Sequence, residues 1–140
     1  MMIHIQPGDE LPIYRQIMRQ VTEAVAGGRV EPGDKLPSQR ELAEQLVISH
    51  LTVKKAYDEL EREGVIETRR GRGTFVAATA GKPGSAERRE SLRPECRRLI
   101  SRAWLSGVPF EEVLQLLGEA RDELAAGRDA GERTREARED

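Results

Sequence analysis

The stretch Leu36–Val76 limits what this chain can fold into more than any other part of the sequence. Ser38 and Glu41 have the spacing of a capping box, in which the hydroxyl and the carboxylate each accept a hydrogen bond from an unpaired backbone N–H. A second helix follows the short turn at Val47-Ile48, with Ser49 as its N-cap. The pattern therefore predicts two helices joined by a tight turn.

The residues that follow predict a β-hairpin. Gly64 is placed to end the second helix. Val65–Arg69 and Thr74–Ala77 are rich in β-forming residues, and the turn between them, Gly71-Arg72-Gly73, is rich in glycine. A helix, a turn, a second helix and a hairpin in this order are typical of an α+β winged helix-turn-helix, in which three helices support a β-wing.

The first of the three helices is predicted over Leu11–Ala26. Pro12 suits its first turn, where a missing N–H costs nothing, and apolar residues recur at helical spacing until the pair Gly27-Gly28. Before it, the alternation of Met2–Ile5 predicts a short edge strand. Lys35-Leu36 is a second candidate for a short strand.

The chain beyond the hairpin divides into a linker, two helices and a tail. Ala78–Glu90 has the small and polar composition of a linker. Helices are predicted over Leu92–Leu105 and Pro109–Ala126, whereas Gly127–Asp140 has no apolar period, which predicts disorder. The expected organisation is a winged-helix domain at 1–77 with its core at 11–77, a linker at 78–90, a small all-α two-helix dimerisation region at 91–126 and a disordered tail at 127–140.

The two C-terminal helices carry apolar stripes that they cannot bury against each other alone. The stripes therefore need the winged helix, a second copy of the chain, or both. We favour a homodimer, and the alternative is a monomer whose helices fold back on the winged helix. The residues expected at the dimer interface are Leu99, Ile100, Ala103, Trp104, Phe110, Val113, Leu114 and Leu117.

The overall charge does not indicate nucleic-acid binding, because 23 Lys and Arg face 25 Asp and Glu, which gives a net charge of −2. The local distribution of charge is uneven. Arg69, Arg70 and Arg72 stand together without an acid among them, and Lys54 and Lys55 fall early in the second helix of the pair. This polarity suggests a basic edge that faces phosphate, with an ordinary solvated helix face as the alternative.

Several classes of function find no support in the sequence. There is no run of about 18 apolar residues and no signal peptide, so we expect no membrane contact. Cys96 is alone, which fits a reducing cytoplasm, and on an apolar helix face it is expected to pack rather than to react. Catalytic motifs are missing, and two distant histidines with one cysteine make a poor metal site, so we expect no enzyme, no metal and no cofactor.

The second helix of a helix-turn-helix presents its N-terminal residues to base edges when it enters a major groove. Here Ser49 and Thr52 offer hydrogen bonds, the two lysines offer charge, and the free N–H groups of the helix N-terminus attract phosphate. Arg70 and Arg72, at the glycine-rich wing tip, suit a narrow minor groove. The chemistry of both edges therefore points to DNA.

Four segments resemble, in order, the N-terminal domain of the GntR family of bacterial transcription regulators. They are PIYRQI at Pro12–Ile17, PGDKLPSQRELA at Pro32–Ala43, TVKKAYDEL at Thr52–Leu60 and GRGTFV at Gly71–Val76. The resemblance covers about half of the chain and implies a winged helix-turn-helix that binds double-stranded operator DNA. It also implies DNA contacts by Arg40, by the start of the recognition helix and by the wing tip. The candidate DNA-binding residues are Ser38, Arg40, Ser49, His50, Leu51, Thr52, Lys54, Lys55, Arg69, Arg70, Gly71, Arg72 and Gly73.

Two positions depart from the family pattern. The family usually has glycine where this chain has Val47, and a valine with positive φ would be strained by about 1–2 kcal/mol. His50 replaces what is often arginine, so it would contact a phosphate or a guanine edge more weakly at neutral pH. The alternative for His50 is an exposed helix residue without a role.

The short C-terminal region also indicates which subgroup of the family the chain resembles. The connection GVPFEEVL, at Gly107–Leu114, resembles the YtrA-type subgroup, whose C-terminal helices serve mainly for dimerisation and whose members often control transporter operons. The resemblance implies a cytoplasmic, homodimeric repressor of an inverted-repeat operator. The alternative is a winged helix that binds a protein instead of DNA. Whether a small-molecule effector exists cannot be read from the sequence.

Overall fold

The computed structural model describes residues 1–84 and 86–139. The elements in chain order are α1 (Ile13–Ala26), β1 (Lys35–Leu36), α2 (Gln39–Leu46), α3 (His50–Arg62), β2 (Ile66–Arg69), β3 (Gly73–Val76), α4 (Ala86–Glu90), α5 (Arg93–Leu105) and α6 (Phe110–Glu139). Ser85, in the expected linker, and Asp140, in the expected tail, lie outside the described residues. None of the described helices is long and apolar enough to cross a membrane.

The core of the winged helix is centred on α1 and α3. Ile17 and Val21 of α1 and Val53 and Leu60 of α3 have no exposed surface, because their spacing puts them on the facing sides of the two helices. Leu42 of α2 covers this pair. The burial of these residues confirms the three apolar stripes that the sequence predicts.

The wing is part of a three-stranded sheet rather than a two-stranded ribbon. The strand order is β1-β3-β2, and both pairs are antiparallel. Leu36 of β1 lies opposite Thr74, and Ile66 of β2 lies opposite Val76. The short strand predicted at Lys35-Leu36 is therefore confirmed, and β3 is held on both sides.

The predicted helix boundaries are largely confirmed. Ser38 Oγ accepts a hydrogen bond from the N–H of Glu41 at 3.1 Å, and Ser49 Oγ accepts one from the N–H of Leu51 at 3.2 Å. Gly64 follows α3 with φ at 79°. Within residues 1–84 and 86–139 the carboxylate of Glu41 accepts no return bond from Ser38, so only the serine half of the capping box forms.

The N-terminal segment is not the strand that Met2–Ile5 predicts. Two glutamines of α1 bind its backbone in place of a neighbouring strand. The side chain of Gln20 accepts the N–H of His4 at 2.9 Å and donates to its C=O at 2.8 Å. The buried side chain of Gln16 does the same for Gln6. The strand predicted from the alternation of Met2–Ile5 is therefore wrong, because glutamine side chains take the place of a partner strand for these backbone N–H and C=O groups.

The segment predicted as a linker contains α4, so part of it is helical. α5 then begins beside the end of α3. At this junction the pKa of Glu63 is raised, mainly by burial and secondly by the neighbouring carboxylate of Glu95. Gly107, with φ at 70°, separates α5 from α6 at the predicted break.

α6 is much longer than predicted. It has 30 residues and continues to Glu139, although the sequence predicts a helix end at Ala126 and disorder beyond it. Residues 127–139 are rich in Ala, Glu and Arg, which have high helix propensity, and they dock through glycines and an arginine rather than through large apolar side chains. The structure therefore differs from the predicted disorder over residues 127–139, while the domain boundaries themselves stay predictions.

Candidate nucleic-acid interface

The turn between α2 and α3 is formed by a left-handed valine. Val47 has φ at 53° and ψ at 52°. Its side chain is 88% exposed, so no burial offsets a strain of about 1–2 kcal/mol. In the described part of the chain it is the one residue other than glycine with positive φ. Valine therefore adopts here the conformation that a glycine would adopt without strain.

An open groove lies beside this turn, between α2 and α3. Arg40 and Glu44 of α2 line it together with Ser49 and His50. Arg40 is exposed and forms no ion pair within residues 1–84 and 86–139. Ser38, by contrast, is half-buried and its hydroxyl is occupied as the cap of α2. The structure thus brings Arg40 and the start of α3 together.

The first turns of α3 are open to solvent. His50 and Lys54 are exposed and Thr52 is half-buried. Leu51 is 72% exposed, which leaves a large apolar side chain on the outer face of the helix. Ser49 caps the helix, and the remaining free N–H groups of this turn favour an anion.

Both lysines of α3 have partners within the chain. Lys54 Nζ lies 2.7 Å from Asp58 Oδ2, in an exposed pair one helical turn apart. Exposed pairs of this kind contribute little, so the pair does not prevent Lys54 from meeting another anion. Lys55 Nζ lies 4.2 Å from the centre of the Tyr14 ring, on α1. Both lysines are exposed, but Lys55 is directed toward α1, so Lys54 is the better placed of the two predicted phosphate contacts.

The wing tip projects two exposed arginines, Arg70 and Arg72. The N–H of Arg72 donates to the C=O of Arg69 at 2.9 Å and closes the turn. Gly71 and Gly73 have φ at 75° and 121°, which L side chains rarely adopt. Nothing lies within 4 Å of an ideal Cβ on Gly71, so its backbone conformation rather than its space requires glycine.

Arg69 has a different place from its neighbours. Its Nη2 lies 2.8 Å from Glu67 Oε1, and its guanidinium carbon lies 4.5 Å from the centre of the Phe75 ring. Glu67 is opposite Phe75 in the β2–β3 pair, so the arginine braces the two strands. Arg69 thus differs from Arg70 and Arg72 in having partners inside the hairpin, and its contact with phosphate stays a prediction.

Lys35 is a basic residue at the wing that the sequence analysis missed. Its Cε lies 3.1 Å from the position of an ideal Cβ on Gly73. The lysine reaches this place because it pairs with Phe75 across β1 and β3. The predicted strand at Lys35-Leu36 was the available signal, but a strand of two residues does not reveal its partner.

Tyr57 holds α3 against the segment that precedes α2. Its hydroxyl donates a hydrogen bond to the C=O of Pro37 at 2.7 Å. Burial, with the nearby carboxylate of Glu41 as the smaller cause, raises the pKa of Tyr57. The phenol therefore stays protonated at physiological pH and keeps donating this bond.

The C-terminal helices carry a second candidate surface. Trp104 is 79% exposed. The other exposed members of the predicted interface are Leu99, Ile100, Phe110, Leu114 and Leu117, and Ala103 is half-buried. Val113 is only 4% exposed, so the chain itself covers it and leaves little of it for a second chain to contact. Leu105 and Leu116, which the sequence analysis omitted, are also exposed.

Comparison with known proteins matches this architecture along the chain. The family model for bacterial regulatory proteins of the gntR family matches residues 13–76, from the start of α1 to the end of β3. The HTH-type transcriptional repressor YtrA of Bacillus subtilis (strain 168) is 40% identical over 127 residues, which cover 91% of this chain and 98% of that protein.

Two solved structures extend the likeness to the C-terminal helices. A transcriptional antiterminator from Listeria monocytogenes EGD-e is 35% identical, with a TM-score of 0.78 and coverage of 89% of this chain and 92% of that one. YtrA from Sulfolobus acidocaldarius, a GntR-family transcription factor, is 36% identical, with a TM-score of 0.54 and coverage of 86% and 97%.

The fold, the exposed start of α3 and the arginine-tipped wing are those of a winged helix-turn-helix transcription regulator, and the matching family and relatives are regulators rather than enzymes. The chain belongs to the GntR family of bacterial regulatory proteins, among relatives of the YtrA kind. The resemblance inferred from the sequence motifs is thereby confirmed.

Proposed function

We propose that this regulator is a repressor that binds an inverted-repeat operator as a homodimer. The observation that carries the proposal is the exposure of basic and polar side chains at two edges of the winged helix. One edge is the start of α3 with Arg40 beside it, and the other is the wing tip with Arg70 and Arg72. These are the edges that a winged helix inserts into a major groove and the adjacent minor groove. The name of the Bacillus subtilis relative supports repression.

Each exposed residue of this surface has a chemical role in the proposal. Arg40 and Lys54 neutralise phosphates, and His50 meets a phosphate or a guanine edge. Leu51 is too exposed to stabilise the core, and its methyl groups suit the C5-methyl group of thymine. Arg70 and Arg72 enter the minor groove, where Lys35 adds charge at the base of the wing.

The homodimer is supported by the apolar face of α5 and α6. Clustered apolar side chains exposed on this scale mark an interaction surface. A two-fold dimer pairs the same face of both chains and relates the two recognition helices by symmetry. The operator then has matching inverted half-sites.

We also propose a cytoplasmic location, where operator DNA is accessible, and a transporter operon as the target. The target rests on the resemblance of the C-terminal region to the YtrA-type subgroup alone. The genomic position of the bound DNA tests it directly.

A protein-binding winged helix is the second candidate, and one observation favours it. Lys54, Lys55 and Arg69 all have partners within the chain, which lowers the charge available for phosphate. The dependence of binding on salt concentration distinguishes the two functions. Binding to DNA through several phosphates weakens steeply as salt rises, whereas a largely apolar protein contact does not.

Selection of bound DNA from random and genomic pools with the full chain tests the leading proposal. We expect an enriched sequence with two-fold symmetry and a binding constant whose logarithm falls linearly with the logarithm of salt concentration. Enrichment of no sequence, or of a sequence without symmetry, contradicts specific binding by a homodimer.

Charge reversal then tests the interface itself. Arg40→Glu and Lys54→Glu should each weaken binding to the selected operator by about 100-fold or more, because each replaces an attraction to phosphate with a repulsion. Lys82→Glu, at an exposed position outside the surface, is the matched control. Unchanged binding by Arg40→Glu, measured by fluorescence anisotropy on a dimeric sample, refutes its assignment.

A further inference from the structure

α6 connects the two surfaces described above. Its first half carries Phe110, Leu114 and Leu117 of the exposed apolar face, and its second half contacts the winged helix. In that second half the half-buried residues include Leu124, Gly127, Gly131 and Arg135, while most of their neighbours are exposed. Spacings of three and four residues put these positions on one side of the helix. One face of α6 is therefore docked although its sequence has no apolar period.

The docked face approaches the end of α1 backbone to backbone. An ideal Cβ on Gly127 would lie 2.8 Å from the carbonyl oxygen of Gly27, and one on Gly131 would lie 2.8 Å from that of Gly28. From the other side, a Cβ on Gly28 would lie 2.7 Å from the Cα of Arg128. Any side chain larger than hydrogen at these positions pushes the two elements apart, because the obstacle is backbone rather than a flexible side chain.

Ionic contacts continue the same face beyond the glycines. Arg135 pairs with Glu31, and its Nη2 lies 3.6 Å from Asp34 Oδ2. Asp34 also accepts the N–H of Val76 through its own carbonyl at 2.8 Å, which ties this turn to the base of the wing. The end of α6 therefore contacts both α1, which packs against α3, and the turn that anchors β3.

We propose that this contact is a clamp that fixes the winged helix relative to the dimer face and so sets the half-site spacing that the dimer accepts. The α6 clamp consists of Gly127, Gly131 and Arg135 against Gly27, Gly28, Glu31 and Asp34. In this role Gly127 and Gly131 are determinants of operator spacing rather than DNA contacts. The inference rests on the proposed homodimer and its inverted-repeat operator.

The length of α6 makes the spacing sensitive to the clamp. At about 1.5 Å per residue, Leu114 in the apolar face lies about 26 Å from Gly131 along the helix. A rotation of about 10° at one end moves the other by roughly 4–5 Å, which exceeds the rise of about 3.4 Å per base pair. A dimer with a loosened clamp should therefore accept half-site spacings that differ by a base pair or more, whereas a dimer with the intact clamp should accept one spacing.

The chain supplies a matched control for this idea. Gly118 lies on the same helix with nothing within 4 Å of an ideal Cβ. Gly118→Ala and Gly131→Ala therefore gain similar helix propensity, but only Gly131→Ala meets a backbone carbonyl. Gly127→Ala is a second clamp variant with the same obstacle.

The experiment measures two quantities for each full-length variant. The first is hydrogen exchange of residues 127–139 without DNA, which we expect to be at least tenfold faster in the clamp variants and unchanged in Gly118→Ala. The second is affinity for the selected operator with its spacer changed by one and two base pairs in either direction. We expect the wild type and Gly118→Ala to prefer one spacer by at least tenfold, and the clamp variants by threefold or less.

The outcomes separate the clamp from the proposed function. Faster exchange with an unchanged spacing profile overturns the positioning role, and unchanged exchange overturns the docking itself. If the wild type selects no operator, the proposed function and the spacing role fail together, while the exchange data still decide whether the clamp exists. Charge reversal at the Arg135–Glu31 pair gives an independent test. Arg135→Glu alone should loosen the clamp and speed hydrogen exchange. The double variant Arg135→Glu, Glu31→Arg should restore the pair and slow exchange.

Discussion

The winged-helix domain and the C-terminal helices use the same sequence pattern with opposite results. In both, apolar residues recur at helical spacing. In the domain they are covered, and Leu60 has no exposed surface, whereas Trp104 and Leu105 on α5 are 79% and 76% exposed. Helical periodicity therefore shows which face of a helix is apolar but not what covers it. The domain completes its core within one chain, whereas the apolar face of the C-terminal helices stays exposed.

The sharpest test of this contrast is a pair of leucine truncations. Leu60→Ala should lower the free energy of unfolding by about 3 kcal/mol, because it leaves a cavity in a closed core. Leu117→Ala, at a half-exposed position, should change the unfolding of dilute protein by less than about 1 kcal/mol. Chemical denaturation measures both values. Equal losses of unfolding free energy in the two variants would contradict the contrast between a closed core and an exposed face.

The second test concerns association rather than folding. Trp104→Ser should raise the dissociation constant of the dimer by about 100-fold, because buried tryptophans dominate such interfaces. Sedimentation of the variant and the wild type measures the change, with circular dichroism to check the fold. Met2→Ser, an equally exposed apolar site at the N-terminus, is the control. A wild type that stays monomeric contradicts the role of this face.

A smaller effect is expected at the turn that joins α2 to α3. Val47→Gly should stabilise the protein by roughly 0.5–1 kcal/mol, because relief of the left-handed strain exceeds the extra entropy that glycine brings to the unfolded chain. Val47→Ala keeps the Cβ and should gain much less. Thermal unfolding of both variants measures the difference, and a clear loss of Tm in Val47→Gly speaks against the strain.

The smallest effect tests the place where the two regions meet. Burial and Glu95 raise the pKa of Glu63 in the folded protein, so its ionisation opposes folding. The penalty is absent below the unfolded pKa of about 4.3, grows as pH rises through the raised folded value and is complete above it. Glu63→Gln should therefore raise Tm slightly at pH 7 and have no such effect near pH 4. A gain that persists at pH 4 assigns the effect to another cause.

Local signals made the winged helix predictable from sequence. The caps at Ser38 and Ser49, the stripe of α3 and the glycine tip of the wing all depend on residues a few positions apart. These features are confirmed because each is determined by short-range geometry. The conformation of Val47 is different, because the family's usual glycine there only posed the question of a positive φ and the structure answers it.

Long-range contacts account for the misses. Lys55 meets Tyr14, and Lys35 meets the wing, through pairings that only the folded chain brings about. Val113 shares the apolar pattern of its helix but is covered by its own chain. The end of α6 was predicted to be disordered because it lacks apolar residues, whereas its contact surface is glycine backbone and one arginine. The spacing Gly127-x-x-x-Gly131 is the sequence signal of this contact, and it is not part of any apolar period.

The central position of β3 has a consequence for the kinetics of binding. Because β1 and β2 hold β3 from both sides and a hydrogen bond closes the tip turn, the backbone of the wing is ordered before it meets a ligand. Ordering the backbone of a free residue costs about 1–2 kcal/mol of conformational entropy, and most of the wing has lost that entropy on folding. A wing prepared in this way lengthens the lifetime of a complex more than it speeds its formation.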